Sequence, residues 1–264
     1  MKNKMRAAIF EGDGILTLKD IDIPKISTPK DILVKVDAAS ICGSDLHGLD
    51  VPPGQYMKPG IVYGHEFCGT IEEMGQNVSG FNIGDSVVIN PRVRCGVCYE
   101  CVKEKGDLCS NSYHYGQTGD GGFAQYALVE EKQVYKVPKY ISPDILAQAE
   151  PLACVMSAIK VAKPTPMDYV LLYGAGPIGL TFIKVLKLMG VNNLIVTDRS
   201  KNRVEEARLL KTGVIVDTSI NSLENEMKKH WPDKADLVFD AVGHGSVMSE
   251  ATDMLNSRGR LILF

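Results

Sequence analysis

Four cysteines, Cys95, Cys98, Cys101 and Cys109, fall within fifteen residues in the spacing C-x2-C-x2-C-x7-C. Thiolates at two-residue separations wrap one tetrahedral ion without strain, and Gly96 and Gly106 give the loop freedom to close round it. The spacing predicts a structural zinc site. A disulfide pair is the competing reading, but it needs an oxidising compartment that nothing else in the chain suggests. A second chemical signal is Gly174-Ala175-Gly176-Pro177-Ile178-Gly179, which fits G-x-G-x-x-G. Alone the pattern is weak, and a glycine-rich turn would explain it. Here an apolar strand, Val170 to Tyr173, precedes it, a helix follows, and an acid, Asp198, ends the next strand. In that setting Gly174 allows the tight turn, Gly176 lets the backbone approach a pyrophosphate, and Gly179 permits close helix packing. The phosphates would sit at the helix N-terminus, where amides and the helix dipole favour anions. Asp198 would accept hydrogen bonds from ribose hydroxyls and repel a 2'-phosphate, favouring NAD over NADP, although Arg199 and Arg203 are able to receive that phosphate.

These groups need a scaffold, and 264 residues suffice for two domains. Up to about residue 160 the pattern is short strands and glycine-rich turns. Ile32 to Val36 and Ser86 to Ile89 read as strands, and Gly12-Asp13-Gly14 as a turn. From Tyr169 onward strands alternate with helices, which signals a parallel sheet. Its strands are expected at Val170 to Tyr173, Asn193 to Thr197, Val214 to Asp217, Asp236 to Asp240 and Arg260 to Phe264. Between the first two, Thr181, Lys184 and Lys187 form one polar stripe, so that helix is mostly buried. The prolines of Lys163-Pro164-Thr165-Pro166 mark the boundary.

Cys42-Gly43-Ser44-Asp45-Leu46-His47, then Gly64-His65-Glu66, then Glu150-Pro151-Leu152 complete the set of chemical segments. With the cysteine cluster and the glycine fingerprint, this order resembles the zinc-dependent medium-chain alcohol dehydrogenases. It is most similar to their polyol branch, which acts on sorbitol, threonine, butanediol and sugar phosphates. The resemblance implies a mostly-β GroES-like catalytic domain over 1–160 and a doubly wound parallel (Rossmann) NAD-binding domain over 161–264. It also implies two zinc ions per chain, one structural and one catalytic, with NAD as cofactor. Cys42 and His65 would be catalytic ligands, with Glu66 in or beside the ligand set and Glu150 near the ion directly or through water. Asp45 would hydrogen bond His65, fixing its tautomer. Ser44 and His47 match the family's proton relay, and Pro177, Ile178, Arg203 and Val242 join the cofactor contacts. Cys154 is an alternative to Glu150, but its register is off and its neighbours are apolar, so it reads as a core cysteine. Cys68 reads as strand core, and His114, His230 and His244 as surface or satisfied histidines.

The implied reaction transfers hydride between a secondary alcohol (polyol, diol or amino alcohol) and NAD. The Gly48 to Gly60 loop, with Pro52, Pro53 and Tyr56, would line the alcohol pocket. A net charge of -3 gives no electrostatic case for nucleic acid or an anionic membrane as partner. The N-terminus lacks an export signal, and the most apolar stretch, Tyr169 to Val185, is broken by glycines and Lys184, so a cytoplasmic protein is expected. Leu261-Ile262-Leu263-Phe264 reads as a buried strand with no element after it, whereas a doubly wound domain has a sixth strand. The expectation is therefore a domain lacking its C-terminal part, with Arg260 to Phe264 as an apolar edge and the family's homo-oligomer interface impaired. A truncated, catalytically silent zinc-binding homologue is the alternative function class.

Overall fold

The computed structural model describes residues 4–264. They form two compact units, one ending at Glu150 and the other running from Pro151 to Phe264. This division falls ten residues before the 160/161 boundary read from the sequence.

The first unit is built from short strands that mostly pair antiparallel. Its elements are β1 (Lys4–Gly12), β2 (Ile15–Asp22), β3 (Asp31–Ser40), α1 (Gly43–Gly48), β4 (Ile61–Val62), β5 (Glu66–Met74) and β6 (Ser86–Ile89). There follow β7 (Arg92–Val93), α2 (Tyr99–Val102), β8 (Tyr113–His114), β9 (Tyr126–Glu130), β10 (Val134–Lys136) and α3 (Pro143–Leu146). A five-stranded sheet has the order β10-β6-β5-β3-β9, and a three-stranded sheet the order β2-β1-β4. Ile32, Val34, Phe67, Ile71, Val87 and Val129 fill the core of the larger sheet. The pairing that matters most is β3 with β5. It runs from Ile32 opposite Met74 to Ser40 opposite Glu66, through irregularities at Leu33/Val34 and Val36/Ala38. Antiparallel pairing thus brings the end of β3, just before Cys42, beside the start of β5, just after His65. Those two segments are more than twenty residues apart in the chain.

The second unit contains α4 (Ala149–Ala162, from its third residue on), β11 (Val170–Tyr173), α5 (Pro177–Leu188), β12 (Leu194–Asp198) and α6 (Lys201–Leu209). It continues with β13 (Val214–Asp217), α7 (Leu223–His230), β14 (Ala235–Asp240), α8 (Gly245–Asp253) and β15 (Leu255–Leu263). All five strands are parallel, in the order β13-β12-β11-β14-β15. That is the arrangement of a doubly wound dinucleotide domain. Successive residues of β11 serve opposite faces. Val170 and Leu172 join a core with Val155, Ile159, Phe182, Ile183 and Leu186, while Leu171 and Tyr173 join Leu223, Met227, Trp231 and Ala251. This is the period-two alternation of a sheet covered on both sides. In α5, Phe182, Ile183, Val185 and Leu186 are buried while Lys184 and Lys187 are exposed, as the polar stripe implied.

Three sequence expectations shift. The last strand begins at Leu255 rather than Arg260, because an irregularity opposite β14 takes in the intervening residues. Cys154 is exposed on α4 rather than part of the core, because that helix buries Pro151, Val155, Ile159 and Ala162 on its other side. The sequence marks Tyr169 to Val185 as the most apolar stretch, broken and too short to span a membrane; among the described residues the helical run Pro143–Ala162 is the one long and apolar enough to do so. Its residues Val155, Ile159 and Ala162 are core of the second unit, whereas Ile145, Leu152, Met156 and Val161 are exposed.

Candidate active site and metal centres

The four-cysteine loop folds on itself. All four sulfurs lie within 4.8 Å of one another, with Cys95 and Cys101 4.0 Å apart and Cys95 and Cys109 3.6 Å apart. A disulfide requires about 2 Å, whereas a zinc with four thiolates at ~2.3 Å sets its sulfurs about 3.8 Å apart. The spacing fits an ion and not a pair of bridges. Backbone amides reinforce it: Cys98 N–H donates to Cys95 Sγ at 3.3 Å and Cys95 N–H to Cys109 Sγ at 3.4 Å. The amides of Val97 and Cys98 are what pull the Cys95 thiol down to about 6, so a thiolate is favoured there.

The second cluster is mixed. Ligand atoms of Cys42, His65 and Glu66 come within 4.8 Å of one another, and His65 and Glu66 are each 4% exposed. Cys42 is the N-cap of α1, and its own N–H donates to Asp45 Oδ2 at 2.9 Å. Asp45 Oδ1 lies 3.1 Å from His65 Nδ1, which directs Nε2 towards a ligand. Tyr63 anchors the same turn through a 2.9 Å hydrogen bond from its hydroxyl to the Asp45 carbonyl. Burial disfavours charge on His65, but its hydrogen bonds with Asp45 and Cys42 prevail and raise its pKa to about 10. The surroundings therefore demand positive charge. A thiol, an imidazole and a carboxylate are a donor set for zinc that leaves a coordination position open, so these residues fit the ion. Glu150, in the first turn of α4, is outside this group of three. Ser44 is half-buried on α1, and His47, one turn further on, is 70% exposed with Nδ1 3.3 Å from Asp50 Oδ2.

One signal in the sequence was missed. Gly64 has φ +85°, and a Cβ there would lie 2.2 Å from the Phe123 ring. The loop that crowds it carries Gly116, Gly121 and Gly122. A Cβ on Gly121 would fall 2.1 Å from the Gly64 carbonyl oxygen. Backbone bonds from Gly121, Gly122 and Phe123 to Val62, Gly64 and Tyr63, each 2.8 Å, hold the His65 segment in place. The repeated glycines of residues 116–122 were the available clue. Also unanticipated is His114, whose Nδ1 is buried without a hydrogen-bond partner and whose ring stands 6.3 Å from that of His65. It corrects the reading of His114 as a satisfied or surface side chain. Burial pushes its pKa down to about 4, which keeps it neutral. Cys68 is indeed strand core: it is 1% exposed, and burial pushes its thiol up to about 11.

In the second unit a cavity of about 580 Å³ opens at the C-terminal edge of the parallel sheet. Gly174, Asp198, Arg203, Thr218, Val242 and Glu250 contribute to its walls. A Cβ at Gly179 would lie 2.0 Å from the Gly174 carbonyl oxygen, so the helix packs this closely only with glycine. At Gly176, the N-cap of α5, an added Cβ would come no nearer than 3.8 Å to anything, and what it approaches is the Arg203 guanidinium. Pro177 follows, so the first amides available to an anion are those of Ile178 and Gly179. Asp198 accepts from Ala175 N–H at 2.9 Å through Oδ2 and from Ser200 N–H at 2.7 Å through Oδ1, and Arg203 Nη1 lies 3.8 Å from Oδ2. The acid therefore ties the glycine turn to β12 while facing the cavity. An uncapped helix start, an open glycine and a facing acid and arginine fit a dinucleotide.

Comparison with known proteins places the chain. Residues 28–139 match the alcohol dehydrogenase GroES-like domain and residues 177–264 the zinc-binding dehydrogenase domain. The L-threonine 3-dehydrogenase of Pyrococcus horikoshii is 37% identical over 100% of this chain and 76% of its own length. An alcohol dehydrogenase of Escherichia coli, rspB, solved with NADH, is 34% identical and superposes with a TM-score of 0.89, covering 99% of this chain and 76% of that one. A zinc-binding dehydrogenase of Sinorhizobium meliloti solved with NADP gives 0.92 at 29% identity, covering 99% and 77%. The protein belongs to the zinc-dependent medium-chain alcohol dehydrogenases, an oxidoreductase family.

Proposed function

We propose that the protein interconverts a secondary alcohol (a polyol, diol or amino alcohol) and its ketone, using NAD. The observation that carries the reading is the buried meeting of Cys42, His65 and Glu66 beside α1. Bound there, zinc would act as a Lewis acid on the alcohol, and the nicotinamide would accept its hydride. The rest belongs to this chain's own residues. Asp45 holds the His65 ring through Nδ1. Ser44 Oγ would accept the hydroxyl proton of the alcohol as it gives up its own, and His47 would be the end of the relay, with the ribose hydroxyls of a bound NAD supplying the link between them. At 70% exposure His47 can hand it to water, and Asp50, 3.3 Å away, steadies the imidazolium that forms. The Ile178 and Gly179 amides would receive the pyrophosphate, and Val242 lines the same cavity.

NAD is favoured over NADP because Asp198 faces the position of a 2'-phosphate and already accepts two amide hydrogens. Arg203 counts on the other side, and its 3.8 Å separation from Asp198 leaves the acid's charge only partly offset. The four-cysteine loop takes the structural zinc, and Glu150 serves the other ion directly or through water. Threonine, 2,3-butanediol, sorbitol and galactitol 1-phosphate, each offered with NAD and with NADP, test the reading through absorbance of the reduced nicotinamide. Turnover of at least one with NAD is expected. Zinc-loaded protein that reduces neither cofactor with any of them refutes it.

A further inference from the structure

Ser40 ends β3 directly opposite Glu66. Its hydroxyl donates to Glu66 Oε2, and the Ala147 carbonyl oxygen lies 3.3 Å from the same Oγ. A serine has one hydroxyl proton, so it serves one of these acceptors at a time. The i+4 donor that a helix would offer the Ala147 carbonyl is missing for a reason written in the sequence. In the helical run from 143 to 162 its i+4 amide belongs to Pro151, which has no N–H. The helix is interrupted at this point, between α3 and α4.

Glu66 is in the opposite situation. Its carboxylate is 4% exposed and loses free energy if left without a donor or a cation. Two arrangements satisfy every group. In one, Ser40 donates to Glu66 Oε2 and competes with an ion for a carboxylate that already stands beside Cys42 and His65. In the other, Ser40 donates to Ala147, and both Glu66 oxygens are left to the ion. We infer that Ser40 is a positioning residue: by moving one hydrogen bond between Glu66 and Ala147, it sets how often Glu66 serves as a metal ligand. The inference rests on the reading of Cys42, His65 and Glu66 as a metal site. It adds a residue that touches neither ion nor substrate, and it gives Pro151 a role through the amide hydrogen it lacks.

The test is the rate at which the full zinc-loaded chain yields metal to an excess of chelator, followed with a zinc dye. Two phases are expected, and the one lost in Cys42→Ala belongs to the mixed site. In Ser40→Ala the mixed-site phase slows about ten-fold, because Glu66 has only the ion left to satisfy it. Ser40→Thr keeps the hydroxyl and stays near the wild-type rate. Pro151→Ala supplies the missing N–H, keeps Ser40 on Glu66, and speeds the same phase about three-fold. The four-cysteine phase stays unchanged throughout and reports that the fold is intact. A serine that merely braced the site would give faster release in Ser40→Ala. Release as fast as wild type or faster in Ser40→Ala, or slower release in Pro151→Ala, overturns the inference and leaves the metal reading standing. A Cys42→Ala trace identical to wild type overturns both.

Discussion

The four-cysteine loop and the Cys42–His65–Glu66 cluster offer metal ligands in opposite ways. The first takes all its donors from one continuous loop of fifteen residues, at the surface, with Val97, Tyr99, Val102 and Leu108 exposed around it. The second takes donors from two distant segments and buries two of them to 4% exposure. Four thiolates close a coordination sphere and leave nothing for chemistry. A mixed, three-donor set leaves a position open, and must then be held rigid by something other than the ion. In this protein that support comes from the β3–β5 register, the Asp45 turn and the glycine-lined loop behind Gly64. The contrast predicts that damage to the two sites separates cleanly into lost stability and lost activity.

Cys42→Ala and Cys95→Ser are the direct attempt to break it. Cys42→Ala is expected to lower alcohol turnover by about 10³-fold, the scale of losing metal Lewis acidity, while the thermal midpoint barely moves. Cys95→Ser should do the reverse, lowering the midpoint by about 10 °C while the mixed site retains its ion. Metal content, melting and turnover measured on both variants decide the matter. If each variant lost both ions, the two regions would not be independent and the comparison would fail.

Gly64→Ala probes the support directly. At φ +85° with 2.2 Å to the Phe123 ring, a methyl cannot be accommodated without moving the His65 segment. A loss of about 3 kcal/mol in urea unfolding is expected, together with preferential loss of the mixed-site ion. Asp45→Asn is milder. The amide still reaches His65 Nδ1 but no longer supplies charge, so mixed-site zinc affinity should weaken about 10- to 100-fold with no change at the cysteine loop. Competition titration with a chromogenic chelator reads both sites in one experiment.

The same contrast explains what was legible beforehand. The cysteine loop could be read from spacing because its geometry is local. The parallel sheet could be read because β11 to β14 are apolar runs separated by helices, and their bounds came out within a residue or two. Cys42 and His65 could be paired only through family resemblance. Their meeting depends on a register that passes through irregularities at Leu33/Val34 and Val36/Ala38, and a one-residue slip would turn every side chain to the other face. No periodicity encodes that. His114 and Ser40 were invisible for the same reason, being defined by what lies opposite them across a strand pair or behind a loop. The exposure of Cys154 was misjudged because apolar neighbours along a helix say nothing of which side it buries.

The smallest expected effect concerns the far end of β3, the strand that delivers Ser40 and leads into Cys42. Asp31 starts it, accepting hydrogen bonds from the amides and hydroxyls of Ser27 and Thr28 at 2.7 to 2.9 Å. Burial pushes the Asp31 pKa up, but these donors, Thr28 foremost, outweigh it and leave the carboxyl below its ordinary value. A depressed folded-state pKa means that the unfolded chain binds the proton more readily. The stabilisation is therefore complete above the ordinary aspartate range and is lost as the pH falls through the lower folded value. Asp31→Asn should remove about 1 kcal/mol at neutral pH and much less in acid. The informative quantity is the difference in urea stability between wild type and variant at each pH, since proton competition for the metal ligands is common to both. A difference that stayed constant from neutral to acid pH would show that Asp31 anchors β3 by shape and not by charge. The support of the mixed site would then be insensitive to acid at this end of the strand.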